Sequence, residues 1–220
     1  MSGFPGSPRL LKAGLVILDA GSGAVQRVIP LQYNPDSLSR SLQPRGTDGE
    51  TATRAFPLRL YGPAIETLRL EAEIDASDEL AAPAEHPAAV AAGIHPQLAA
   101  LEAQLYPASA QLARSHELAA SGTLEIAPPE GPLVLFVWSR NRVLPVRITE
   151  FSVTEEAFDA ALNPIRARVS LGLRVLTVDD LGFTHRGGSL FMSYLRQKEG
   201  LAAAAAAAPL DALGINAGAV

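Results

Sequence analysis

Two stretches of the chain alternate apolar and polar residues with the period of a half-buried strand. In the first, Leu68, Leu70, Ala72 and Ile74 interleave with Arg69, Glu71 and Glu73. In the second, Ile165, Ala167, Val169, Leu171, Leu173 and Val175 interleave with Arg166, Arg168, Ser170, Gly172 and Arg174. Each strand therefore offers one face to a core and a row of charges to water or a partner. Leu133 to Trp138 is apolar throughout, as a central strand requires, and Val143 to Phe158 reads as a long or bent strand. Phe136 and Trp138 lie two apart on one face and are expected as core anchors. Near the start, runs at Lys12 to Asp19 and Val25 to Tyr33 flank Gly21-Ser22-Gly23 and read as a hairpin. Asn34-Pro35 ends the second run, because proline fixes φ and lacks the ladder donor, and the Asn34 amide is placed to cap the turn that follows. Ser37 to Gln43 and Thr53 to Tyr61, the latter interrupted at Pro57, are two further expected strands.

Helix is expected at Pro96 to Leu105, with proline in the permissive first turn and Leu98, Leu101 and Leu105 on one face. A second helix is expected at Ser189 to Ala208, following a Gly187-Gly188 turn, because its alanine run has the highest helix propensity. The Ala- and Pro-rich segment 76–121 separates two β-rich halves, each too small to stand alone. It reads as a helical crossover within one domain. Residues 1–11 read as a flexible N-terminus, 12–178 as the β domain and 179–220 as a C-terminal extension, frayed beyond its helix.

Composition removes several classes of function. The 220 residues are 48% hydrophobic and 19% charged, enough for a core. The net charge of −5 argues against non-specific nucleic-acid binding. No cysteine is present, so disulfides, thiol nucleophiles and thiolate zinc sites are ruled out. No stretch approaches the roughly 18 apolar residues of a membrane span, and Met1 to Leu11 lacks the apolar core of a secretory signal. A cytoplasmic product without membrane insertion is the expectation.

Catalytic signatures are equally sparse. His86, His95, His116 and His185 show no metal-ligand spacing, so neither metal nor cofactor is expected. Gly21-Ser22-Gly23 leads into a strand rather than a helix and lacks the Lys-Ser/Thr of a phosphate loop. Acidic groups at Asp75/Asp78/Glu79, Glu155/Glu156 and Asp179/Asp180 sit at strand ends or turns, and no G-x-S-x-G elbow occurs.

Five segments in order resemble the N-terminal domain of contractile injection system tube-type proteins. Val28 to Pro35, with Gln32, Tyr33, Asn34 and Pro35, is similar to that family's apolar–Gln–aromatic–Asn–Pro opening. Leu68 to Asp75 follows as an alternating strand ending in Asp, and Pro128 to Trp138 as the strand carrying Phe136 and Trp138. Val146 to Val153 and Asn163 to Val169, the latter with Pro164, Arg166 and Ala167, resemble its last hairpin. The likeness covers about residues 12–178. The family's C-terminal LysM domain has no counterpart here, and Trp138-Ser139 replaces its usual Trp-Gly.

The resemblance implies a mainly β domain with α elements: a phage tail-tube-like β-sandwich or barrel with a helical crossover and a C-terminal Ala-rich helix. It implies a homohexameric adaptor ring in the baseplate of a phage-tail-like particle, with the spike hub, inner tube protein and baseplate wedge proteins as partners. Arg166, Arg168 and Arg174 against Glu71 and Glu73 are candidate charges between subunits or along the lumen; the solvated side of a half-buried sheet accounts for them equally well. Three other readings compete: an inner-tube or tube-initiator protomer, a monomeric β-sandwich module binding ligand in its Ala/Pro-rich central loops, and a hydrolase using His95 or His116.

Overall fold

The computed structural model describes residues 11–19, 21–46, 59–121, 130–208 and 210–214. Among these residues, seven strands form where the alternation and apolar runs place them: β1 (Gly14–Leu18), β2 (Val25–Pro30), β3 (Leu38–Gln43), β4 (Ile65–Asp75), β5 (Leu133–Ser139), β6 (Arg142–Phe158) and β7 (Pro164–Val175). All lie in one antiparallel sheet in the order β2-β1-β5-β6-β7-β4-β3. The mainly β expectation holds, but a sandwich's second sheet is not found among the described residues. Most of Thr53 to Tyr61 lies outside them, and within it Leu60 bridges Gly46.

The sheet is open but curled. Laid flat, five spacings would hold β2 and β4 about 24 Å apart. Yet in the link of residues 31–37 that follows β2, the Gln32 side chain bonds both peptide groups of Asp75 at the end of β4, donating to its carbonyl at 2.6 Å and accepting its N–H at 2.8 Å. The end of β2 therefore lies beside the end of β4.

Inside the curl, alternate residues of each strand meet. Leu68, Leu70, Ala72 and Ile74 of β4 join Ala167, Val169, Leu171, Leu173 and Val175 of β7, Leu15 and Ile17 of β1, and Phe136 of β5. Phe136 is fully buried and Trp138 half-buried, their rings 6.0 Å apart and tilted, so the expected anchor pair forms.

The crossover consists of four short helices: α1 (Ser77–Leu80), α2 (Pro87–Ala92), α3 (His95–Glu102) and α4 (Ser109–Ala120). Helix α3 seats Leu98 and Leu101 in the core, whereas Leu105 lies beyond its end and is exposed. Gly93 turns the chain into α3 with φ +55°, and Ile94 donates its N–H to the Pro164 carbonyl at 2.9 Å. After β7, Thr177 caps α5 (Val178–Leu181) in a capping box with Asp180.

Helix α6 (Arg186–Ala204) starts three residues before the expected Ser189 and stops short of Ala208. Gly187-Gly188 is not a turn but the buried first turn of this helix. A side chain on Gly188 would meet the Gly182 carbonyl at 2.0 Å, so glycine sets how closely α6 approaches α5. Phe191 and Tyr194 bring α6 into the same core as the strands.

Three carboxylates brace chain reversals. Asp19 in the β1–β2 turn is held below its ordinary 3.8 by bonds from Ser22. Asp159 in the β6–β7 turn is held down by Asn163. For Asp75, burial opposes ionisation, but Ser77 and the Arg166 guanidinium outweigh it and the value falls. A depressed folded-state value favours the folded chain above the unfolded value, and that contribution vanishes as pH falls through the folded one. The urea midpoint is therefore expected to hold between pH 7 and 5 and drop below about pH 4. Asp159→Asn should shrink that acid loss in the same titration.

Candidate functional site

The outer face of β6, β7 and β4 carries the charges singled out above, and register decides their partners. Strand β7 lies in the middle, with Arg166 opposite Asp75 on one side and Glu156 on the other, and Arg168 opposite Glu73 and Thr154. Arg166 bonds Asp75 at 2.7 Å and approaches Glu73 at 3.8 Å, while Arg168 reaches Glu156 at 3.5 Å. Arg174 pairs with Asp180 at 2.7 Å. Arg69 of β4 meets Glu150 of β6 at 3.3 Å across the intervening strand, where β7 places Gly172. A side chain there would lie 2.8 Å from Glu150 Cβ, so the glycine keeps the bridge's path open.

The candidate charges are thus largely matched within one chain. Glu71 differs: among the described residues it has no ion-pair partner. Arg147 is exposed directly opposite Arg174 and likewise has no ion-pair partner. Intrachain pairing of half-exposed groups sets register more than it adds stability, and it leaves little net charge for a neighbour to read.

The residues of the Gln-Tyr-Asn-Pro segment hold the curl shut at its corner. Gln32 reaches β4, as described. Asn34 points the other way: its Oδ1 accepts the Ala13 N–H at 2.9 Å and its amide donates to the Leu11 carbonyl at 2.8 Å. Its amide therefore braces the entry to β1 and not the following turn. Two amide side chains act as surrogate ladder partners on either side of the link. Tyr33 is exposed and Pro35 half-buried. Pro164 is buried at the start of β7, and Ala167 is fully buried beneath the Arg166/Arg168 row. Gln32→Ala leaves both peptide groups of Asp75 without that partner and is expected to cost about 1–3 kcal/mol, read as a lowered urea midpoint at unchanged slope.

One carboxylate was missed by the sequence reading. Glu66 stands two residues before Leu68, on the same inward row, and is 3% exposed. Arg40 Nε lies 3.0 Å away, Lys198 Nζ 2.9 Å, and the Tyr194 hydroxyl donates at 3.0 Å. Lys198 also sits 4.3 Å above the Tyr194 ring. This cluster ties β3, β4 and α6 together. The inward parity of Glu66 was the available signal.

The open edges are the remaining feature. Among the described residues β2 and β3 each have one strand neighbour, and exposed Val25, Val28 and Leu42 lie on them. Beside β2, on the side away from β1, lies a groove of about 420 Å³ floored by Leu31, Ala72, Ile74 and Leu101 and walled by α3.

The four histidines lie apart on separate elements. His86 precedes α2, His95 opens α3, His116 lies in α4, and His185 caps α6 by accepting the Gly187 N–H at 3.1 Å. Among the described residues no three His, Asp or Glu side chains are grouped to hold a metal. No helix among them is long and apolar enough to cross a membrane. The sequence matches no family model and no curated protein.

Proposed function

We propose that the chain is a structural subunit: an adaptor ring, six-fold by the family resemblance, that joins the spike hub and baseplate of a contractile injection particle to its inner tube. The observation that carries this reading is a seven-stranded sheet that curls without closing, leaving two strand edges with exposed apolar residues. Unpaired edges are a hazard unless guarded or covered. A ring built by head-to-tail contacts covers them with other copies.

The charged outer face suits the same role. Because its Arg and Glu rows are matched within the sheet, ring contacts would rest on edges and apolar residues, and salt should loosen a ring only weakly. Glu71 and Arg147 remain as the charges that a neighbour or the bore would meet.

Removing the gene from a particle-producing source tests the function. Electron microscopy should then show tubes or sheaths without an attached spike. Intact, armed particles in its absence would overturn the reading.

A further inference from the structure

The groove beside β2 has the three properties of a site that takes an extended peptide. The first is a strand edge left unpaired among the described residues. Leu31 donates its N–H to Ala13 of the β1 side, and Ile29 and Arg27 stand opposite Leu15 and Ile17. Peptide groups alternate sides along a strand, so the N–H and C=O of Val28 and the C=O of Pro30 face the groove. The second is an apolar pocket of about 420 Å³ within reach of that edge, in the range of built ligand sites. The third is an unmet polar group. Gln97 of α3 lines the groove, and its Oε1 is buried with no hydrogen-bond partner among the described residues, a state that buried acceptors rarely occupy.

We propose that this groove binds an extended segment of a partner protein, laid as an added strand between β2 and α3. Main-chain bonds to Val28 and Pro30 supply affinity, and an aliphatic side chain in the pocket supplies selectivity. A peptide N–H of the segment donates to Gln97 Oε1. Glu73, which also lines the groove, is already paired with Arg166 at 3.8 Å. Arg27 stands on the rim, exposed and without an ion-pair partner among the described residues, so the segment carries a carboxylate beside its aliphatic residue. The partner is thus an alternating aliphatic and polar strand with an acidic end. This narrows the ring reading, in which other copies cover both edges: the β2 edge takes the partner segment, and the β3 edge is left to neighbouring copies.

A fluorescent peptide of sequence Thr-Val-Thr-Val-Thr-Glu, titrated against the full chain, tests it. Saturable binding is expected, weakened about tenfold or more by N-methylation of the valine amides and by Ala100→Trp, which fills the pocket. Arg27→Glu should weaken it by a smaller factor. Should Ala100→Trp fail to fold by circular dichroism, Gln97→Leu replaces it, with a severalfold loss expected. Absence of saturable binding, or equal binding of the N-methylated peptide, overturns the proposal. Ring formation, scored on the same samples by microscopy, is unaffected by that failure and reports on the assembly separately.

Discussion

Gly93→Ala is expected to cost about 2–6 kcal/mol, a large part of the 5–15 kcal/mol that holds an ordinary domain folded. Two penalties combine. Gly93 sits at φ +55°, where a Cβ costs about 1–3 kcal/mol. That Cβ would also lie 2.2 Å from the Pro164 carbonyl, the acceptor for the Ile94 N–H. The clash pushes the start of β7 away from α3, and overpacking of this kind adds about 1–3 kcal/mol. Ile94, fully buried, would lose its bond and its packing together. Gly200→Ala is the control. It lies within α6 with open space around it, so alanine should raise stability there by up to about 1 kcal/mol. Chemical denaturation of both variants gives the two signs; a neutral Gly93→Ala would refute the close approach.

Glu66→Ala is the second large effect, about 3 kcal/mol, or roughly 6–12 °C in Tm. The carboxylate is buried, but Arg40 and Lys198 are each about a third exposed and can turn to water. The cost is therefore lower than for a fully buried pair. It comes from charge-assisted bonds lost and from the buried Tyr194 hydroxyl left without its acceptor. Glu66→Gln keeps an acceptor for Tyr194 and should fall between wild type and alanine. Because the cluster joins β3 and β4 to α6, hydrogen exchange in Glu66→Ala should quicken in Tyr194 and its helical neighbours more than in β5. Uniform quickening would contradict a local tie.

Alternation placed the strands well because period two is a local property: β4, β5, β6 and β7 stand within a few residues of where the pattern set them. What alternation cannot carry is register. The pairing of Arg166 with Asp75, or of Arg69 with Glu150 over Gly172, depends on which residues of three strands lie opposite one another. A shift in the β6–β7 pairing between Ile148 and Glu150 adjusts that alignment. No local rule exposes such a shift.

Gln32 and Asn34 were singled out as motif residues, yet their roles depend on a curl that brings distant strand ends together. Glu66 was legible in principle, since extending the Leu68 row back by one step places a carboxylate indoors. Gly187-Gly188 misled because paired glycines usually signal a turn, whereas here they admit close helix packing.

The proposed ring depends on a sheet left open to be covered by other chains. Native mass measurement of the purified full chain, with imaging of the same sample, addresses this most directly. Closed rings of six copies are predicted, disrupted when Ser41→Pro is placed on the exposed edge strand β3. A single copy that stays monomeric at every concentration, alone and with spike and tube proteins present, would contradict it.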